Sequence, residues 1–242
     1  MKALSFILVS ACIITLTTSC YFGDEDIFGC VRGNGNVHTQ EFYLPEITGL
    51  KLRGVGDVIV RHGDTQEILV ETDNNLMDYL ETDVNGGVWD IDFGRCVRNI
   101  TRLTVYVTVP EIHKLIISGS GSIITEGAFS GGDLEATVSG SGNITAAYSG
   151  ESVDASISGS GYIDLTGDTH FLNVNISGSG DVRAFDMLAH DCDVRISGSG
   201  DARVNVEDFL KVRISGSGDV LYKGFPTLDI DITGSGSVLD RN

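Results

Sequence analysis

Three aspartates recur at one position of a repeated motif. Asp181, Asp201 and Asp219 each follow directly after a Gly-Ser-Gly sequence. In a stacked repeat they would lie about 4.8 Å apart, and carboxylates so close repel unless something compensates. A bound Ca²⁺ is one hypothesis, because hard cations take carboxylate oxygens. A solvated ladder of aspartates and arginines is the other, since Arg183 and Arg203 come two residues later on the same strand face.

Two histidines and an aspartate form a second possible column. His170 and His190 each come six residues before the isoleucine of the next motif, and Asp208 takes that place one repeat later. Two imidazoles and a carboxylate could bind zinc. The simpler interpretation is a pair of exposed loop histidines, and we predict no bound metal as a cofactor.

The best candidate cluster for catalysis consists of Asp181, Arg183, Asp201 and Arg203. A lyase would need acids and a basic residue gathered on one face. The regular repetition of this cluster favours a ladder instead, because an active site usually interrupts a repeat. The strand-to-helix context of a Gly-x-Ser-x-Gly nucleophile and the glycine-rich phosphate loops are both missing from the sequence. We therefore predict that the protein is not an enzyme and needs no cofactor.

The motif that would position these residues is Ile-Ser-Gly-Ser-Gly. Seven copies begin at Ile117, Val138, Ile157, Ile176, Ile196, Ile214 and Ile232, where Val138 replaces isoleucine and Thr233 replaces the first serine. The steps between them are 21, 19, 19, 20, 18 and 18 residues. A period near twenty that is held over many copies is typical of a solenoid.

Short alternating runs flank each motif. Residues 172–176 before a motif and residues 162–165 after one alternate apolar and polar side chains, as half-buried strands do. The Gly-Ser-Gly between such strands must turn the chain, where glycine accepts a positive φ and a close backbone approach. The predicted structural glycines are Gly119, Gly121, Gly140, Gly142, Gly159, Gly161, Gly178, Gly180, Gly198, Gly200, Gly216, Gly218, Gly234 and Gly236.

The sequence thus predicts an all-β protein. Residues 117–242 should form a right-handed parallel β-helix of two sheets, with about 18–21 residues per coil. Residues 30–116 are β but less regular, with a degenerate glycine motif at residues 52–57. We expect this N-terminal region to begin and cap the solenoid, because terminal repeats are atypical.

The N-terminus resembles that of a bacterial lipoprotein. Residues 1–19 carry Lys2 and an apolar core too short to span a bilayer, and small residues precede Cys20 as they do before a lipidated cysteine. The alternative is an ordinary signal peptide with an incidental cysteine. Residues 20–29 form an acidic tether that resembles the surface-export signal of some lipoproteins. We therefore expect an outer-membrane lipoprotein at the cell surface, with a periplasm-facing protein as the alternative.

Cysteines and charge limit the environment and the partners. Cys30 and Cys96 are candidates for a disulfide in an oxidising compartment, whereas Cys192 takes an inward strand position as an apolar filler. The net charge of −18 disfavours nucleic acids and anionic lipid surfaces as partners.

Together these features resemble one known family, the putative auto-transporter adhesin, head GIN domain family of secreted and lipid-anchored bacterial proteins. The resemblance is carried by residues 30–35 (CVRGNG), 52–58 (LRGVGDV) and 105–110 (VYVTVP) and by the Ser-Gly-Ser-Gly-Asp series. It covers roughly residues 33–239. It implies a β-helix of two sheets, kinship in shape to pectin-lyase-like proteins and a role in adhesion, and it carries no functional residues over to this chain.

Adhesion through a long sheet face is therefore the predicted function. Solenoids offer extended binding surfaces for a glycan or a surface protein. Tyr148, Tyr162 and Tyr222, if exposed, could stack on sugar rings, and the alternative is that these aromatics near the turns simply pack. A carbohydrate-active β-helix enzyme and a purely structural envelope component are the alternatives. A homo-oligomer, such as a trimer, is compatible with the sequence, and a self-association surface would favour the structural role.

Overall fold

The structure is a computed structural model that describes residues 29–242. The predicted signal peptide, Cys20 and nearly all of the acidic tether lie outside the described residues. Nine strands and one 3₁₀ turn make up the N-terminal part: β1 (Val31–Arg32), β2 (Val37–Glu41), β3 (Gly49–Gly54), β4 (Asp57–His62), β5 (Glu67–Asp73), the 3₁₀ turn Met77–Tyr79, β6 (Val84–Asn85), β7 (Val88–Ile91), β8 (Val97–Arg98) and β9 (Leu103–Val109).

Nine further strands form the repeat part. They are β10 (Lys114–Gly119), β11 (Ser122–Gly140), β12 (Asn143–Gly159), β13 (Tyr162–Gly178), β14 (Asp181–Gly198), β15 (Ala202–Gly216), β16 (Val220–Lys223), β17 (Thr227–Gly234) and β18 (Val238–Asp240). Neighbouring strands from β10 to β18 pair in parallel, one coil above the next. The described chain is therefore the all-β solenoid that the repeat predicts.

Each coil buries two alternating runs around a corner. In β12, alternate side chains from Ile144 to Tyr148 point inward, and after the corner the inward positions are Val153, Ala155 and Ile157. Between Tyr148 and Val153 the inward side chains change from even-numbered to odd-numbered residues. This change lets the chain turn the corner while its apolar side stays buried. Stacked coils then form one continuous aliphatic core, and no single coil could bury such a face alone.

The Gly-Ser-Gly turns stack directly on one another. Gly178, Gly198 and Gly216 occupy equivalent positions in successive coils. The serine amide of each turn donates to the first glycine carbonyl of the turn below, as from Ser199 to Gly178 at 2.8 Å. Gly198 has a φ of 138°, and a Cβ there would fall against the Gly178 carbonyl oxygen. A side chain at this position would therefore push the coils apart.

The N-terminal coils do not stack in chain order. The early strands β3 and β4 pair with the first repeat strands β10 and β11 on one side and with the later strands β7 and β9 on the other. The chain thus builds its second coil first, adds the end coil beyond it, and returns to begin the repeat. Strands β5 and β2 then continue the sheet from β9 in antiparallel pairing. The degenerate motif of residues 52–57 lies in this second coil, with Gly54 opposite Gly119.

Two links hold the N-terminal cap together. Cys30 and Cys96 form a disulfide across a sequence separation of 66 residues, beside the pairing of β1 with β8. The buried Asp73 carboxylate accepts hydrogen bonds from the Thr101 amide at 2.7 Å, the Thr101 hydroxyl at 2.8 Å and the Gly35 amide at 2.6 Å. Burial alone would raise the pKa of Asp73, but these hydrogen bonds outweigh it and lower the pKa.

Replacing this carboxylate should destabilise the cap. We expect Asp73→Asn to lower the free energy of unfolding by about 1–3 kcal/mol at pH 7, because the NH2 of its amide would face a backbone N–H donor, that of Gly35 or that of Thr101, in either orientation. Since the folded pKa is lowered, the stabilisation is present above the unfolded pKa of about 4 and is lost as pH falls through the folded pKa. Urea titrations between neutral and acidic pH should show the difference from wild type shrinking. Asp64→Asn, on an exposed loop, is the control, and an equal loss in both variants would contradict the prediction.

The C-terminal end of the solenoid, unlike the capped N-terminal end, leaves part of its last coil exposed. At the C-terminal end, Leu228, Ile230 and Ile232 keep the inward positions of their coil but remain 40%, 41% and 37% exposed, because no further coil covers them. Outward-facing Asp229 and Asp231 alternate with them along β17, and charges on an edge strand discourage pairing with another chain.

Among residues 29–242, no helix is long and apolar enough to cross a membrane.

Candidate binding groove and the predicted site residues

A long groove lies on the outer face of the strands that enter the Gly-Ser-Gly turns. Its volume is about 580 Å³, and it crosses six neighbouring coils from Thr137 to Thr233. The first hydroxyl residue of five motifs lies along it, and these residues are Ser158, Ser177, Ser197, Ser215 and the variant Thr233. The groove is therefore long and shallow, and it follows the solenoid axis.

The repeat itself builds this groove. The residues of the serine row pair directly across neighbouring strands, so their hydroxyls lie one strand spacing apart. Two residues earlier on each strand, the other wall carries Ser156, Asn175, Arg195, Arg213 and Asp231. The sequence pattern assigned no role to these first serines, because the predicted turn begins at the glycine that follows each of them. The sequence signal that could have identified the groove is the spacing of two residues between each serine and the polar residue before it, because residues two apart on a strand point to the same face.

The charges in the groove are already paired. Arg195 donates to Asp193 at 2.6 Å, and Arg213 donates to Asp229 at 2.9 Å. The hydrogen bond from Arg213 lowers the pKa of the Asp229 carboxyl. A ligand in this groove would thus meet hydroxyls, an amide, neutralised ion pairs and apolar surface that includes Ile157, Ile176, Ile196 and Ile214. Such a mixed surface suits an extended polymer that has both polar groups and apolar faces rather than a single strongly charged group.

The aspartate column connects successive coils. An Oδ1 atom of Asp181 accepts from the amide of Asp201 at 3.2 Å, and an Oδ1 of Asp201 accepts from the amide of Asp219 at 2.9 Å. Asp219 accepts in turn from the amide and hydroxyl of Ser237 at 2.8 and 2.7 Å. Asn143 serves the Tyr162 amide in the same way at 3.2 Å. These carboxylates satisfy backbone donors where the coil leaves its turn.

This geometry predicts the response to calcium. We expect millimolar Ca²⁺ to change the thermal unfolding midpoint by less than about 1 °C relative to EDTA, because one oxygen of each aspartate is held by the next coil. Differential scanning calorimetry in the two solutions measures the shift. A saturable rise that Asp201→Asn abolishes would contradict this expectation and restore the calcium hypothesis.

Arg183 and Arg203 point outward from the strands that follow the turn, whereas the groove lies on the strands that precede it. Their guanidinium nitrogens are 3.7 and 3.8 Å from the same Asp181 oxygen. This is the cluster that a lyase would use, but Asp181 and Asp201 also bind backbone amides and the cluster lies outside the long groove. The structure does not bring these acids into one deep groove with a base.

The structure brings His170 and His190 next to each other, but their surroundings do not resemble a metal centre. The rings of His170 and His190 lie in neighbouring coils with centroids 5.1 Å apart and are tilted by 47° to each other. Nδ1 of His190 lies 3.2 Å from Glu207 and 3.4 Å from Asp208. Within residues 29–242, the histidine, cysteine, aspartate and glutamate side chains form no group of three or more that could hold a metal ion.

One of the three tyrosines predicted to stack on sugars is not available. Tyr148 is 1% exposed, because it occupies an inward position at the corner of its coil, so the prediction of an exposed ring there was wrong. Tyr162 is half-buried, with the Arg183 guanidinium 4.4 Å from its ring centroid, and Tyr222 packs against the core. Cys192 is inward and buried, and that burial raises the pKa of its thiol.

The repeat, the capped end and the motif spacing agree with one known family. The family model described as putative auto-transporter adhesin, head GIN domain, matches residues 46–226, well over half of the chain. The chain belongs to this family. Its head GIN domain match begins just before β3, in the N-terminal cap, and ends between β16 and β17. No curated protein sequence matches the chain.

Solved structures share the fold along nearly their whole length. A protein from Parabacteroides distasonis described as a putative lipid binding protein is 27% identical, with a TM-score of 0.74 over 88% of this chain and 99% of that one. A putative adhesin from Bacteroides fragilis is 16% identical, with a TM-score of 0.77 over 87% and 100%. A putative adhesin from Parabacteroides merdae is 24% identical, with a TM-score of 0.71 over 88% and 99%. The latter two likenesses establish the head GIN domain fold alone.

Proposed function

We propose that this protein is a lipid-anchored adhesin of the bacterial cell envelope that binds an extended polar polymer along its groove. The observation that carries the proposal is the length of the groove, which crosses six coils with a hydroxyl at each step. A linear glycan or an extended peptide can repeat its contacts from coil to coil. Membership of an adhesin-like family supports binding rather than catalysis.

The chemistry of the groove supports recognition by many weak contacts. Serine hydroxyls donate and accept, Asn175 does both, and the paired arginines offer remaining N–H groups. Each contact contributes modestly, so affinity depends on the number of coils engaged. An extended sheet face of a solenoid is suited to this kind of binding.

The experiment compares the wild-type protein with a groove that is filled. Binding of the purified protein to arrays of glycans and matrix proteins is measured with the double variant Ser177→Tyr/Ser197→Tyr, whose rings would occupy the groove. The matched control is Ser179→Tyr/Ser199→Tyr, which places the same rings on the exposed second serines of the same two turns. We expect saturable binding that the first pair abolishes and the second preserves. Binding that both pairs leave unchanged would rule out the groove.

The anchor and its location need separate tests. We expect Cys20→Ala to release the protein from the membrane fraction and to remove the mass of the lipid. Protease treatment of intact cells should digest the protein if it is surface-exposed. Protection in intact cells with digestion after permeabilisation would instead indicate the periplasm-facing alternative.

A further inference from the structure

Two pairs of arginines lie in register on strands β14 and β15. Arg195 is opposite Arg213 in the groove, and Arg183 is opposite Arg203 on the other face. Like charges directly opposite each other destabilise a sheet unless they are compensated. The two arginine pairs differ in how their charges are compensated.

The groove pair is compensated and the second pair is not. Arg195 and Arg213 each form a short hydrogen bond to a separate carboxylate, at 2.6 and 2.9 Å. Arg183 and Arg203 share the single carboxylate of Asp181 at 3.7 and 3.8 Å, distances too long for hydrogen bonds. Among the described residues, the N–H groups of this second pair therefore remain largely unused.

This second pair faces an open cleft. The cleft has a volume of about 380 Å³ and is lined by Arg183, Arg203, Phe185, Asp164 and Asp186. It combines two guanidinium groups that form no short hydrogen bond, one of which lies over the Tyr162 ring, with two carboxylate acceptors and the Phe185 ring in a small space. A site that orients a ligand by a few polar groups beside an apolar surface has this composition.

The repeat is interrupted at the same place. Ala184 pairs with Val204 and Leu188 pairs with Asn205, so residues 185–187 bulge out of β14 with no counterparts on β15. The bulge carries Phe185 and Asp186 to the wall of the cleft. Bulges redirect side chains and occur often next to functional sites. Regular stacking alone would not place these two residues beside the arginine pair.

We propose that this cleft binds a uronic acid residue, that is, a pyranose ring that carries a carboxylate. The carboxylate would bridge the guanidiniums of Arg183 and Arg203 with charge-assisted hydrogen bonds, which removes their mutual repulsion. The ring lies against Phe185, and its hydroxyls donate to Asp164 and Asp186. The Lys223 ammonium, 4.6 Å from the Phe185 ring centroid, adds positive charge at the rim. The cleft lies on another face from the groove, so the inference does not depend on the proposed function.

The test measures affinity by calorimetry with three probes. They are a galacturonate trisaccharide, the galactose trisaccharide of the same linkage, and inorganic sulfate. We expect the uronate to bind at least about tenfold more tightly than either of the others, since two charged hydrogen bonds and the ring contact act together. Equal affinity for galactose would exclude recognition of the carboxylate, and equal affinity for sulfate would exclude recognition of the ring.

Variants assign the site. Arg183→Gln/Arg203→Gln should weaken uronate binding at least about tenfold, whereas Arg61→Gln/Arg102→Gln, the same change in two ion-paired arginines of the N-terminal part that line neither the cleft nor the groove, should leave it within about twofold. Phe185→Ala, outside the arginine pair, should weaken it as well, and unfolding midpoints verify that each variant is folded. An equal loss in both arginine variants, or no uronate binding at millimolar concentration, would overturn the proposal.

Discussion

Gly198→Ala is expected to lower the free energy of unfolding by at least about 3 kcal/mol, and to prevent accumulation of folded protein if total stability is small. The added methyl group would meet the Gly178 carbonyl oxygen of the coil below while the backbone holds a φ of 138°. Relief would require the two turns to separate, which breaks the hydrogen bond from Ser199 to Gly178. Urea denaturation of the purified variant measures the effect.

Gly132→Ala is the matched control for this substitution. Gly132 lies in β11, where a Cβ atom would have no heavy atom within 4 Å and the backbone holds no left-handed φ. We expect its effect to stay within about 0.5 kcal/mol. A loss below about 1 kcal/mol in Gly198→Ala would mean that stacked turns tolerate a side chain, and that close backbone approach is not the reason for the repeated glycines.

Removal of the Cys30–Cys96 disulfide is expected to cost about 4 kcal/mol, the loss of chain entropy that a loop of this length imposes on the unfolded state. The double variant Cys30→Ala/Cys96→Ala and the wild-type protein with a strong reductant should unfold at similar urea concentrations. The bond joins the start of the described chain to the turn before β8, so its loss frees the outer part of the cap.

Cys192 provides the internal control for the reduction experiment. Its thiol is 3% exposed and its pKa is raised by burial, so it should resist alkylation in the folded protein before and after reduction. Rapid alkylation of Cys192 under reducing conditions would show that reduction disturbs the whole solenoid. A change in stability below about 1 kcal/mol would contradict the proposed role of the disulfide.

The regular part of the fold could be predicted because it is periodic. Each motif places an aliphatic residue, two hydroxyl residues and two glycines at fixed offsets. Successive coils therefore form the same contacts with their neighbours. Alternation of apolar and polar side chains identified the strands on either side of the turn. The glycines followed, because stacked turns leave no space for a Cβ atom.

The site residues were harder to predict. The sequence placed Asp181, Asp201 and Asp219 in one column but could not show that their oxygens accept from backbone amides of the next coil. It placed Arg183 and Arg203 on one face but could not show the bulge that brings Phe185 beside them. Tyr148 was misjudged although it continues the inward alternation of Ile144 and Ala146, which changes parity only after the corner.

The sequence by itself determined the solenoid, its period, its turn glycines and the column in which each outward residue lies. Only the tertiary structure decided which coils are neighbours at the capped end, where β3 and β4 lie between β10–β11 and β7–β9. It also decided which outward columns border a groove or a cleft. The physical reason is that a periodic pattern fixes contacts between successive repeats, whereas a long insertion and a local bulge depend on packing between residues that are distant in the chain.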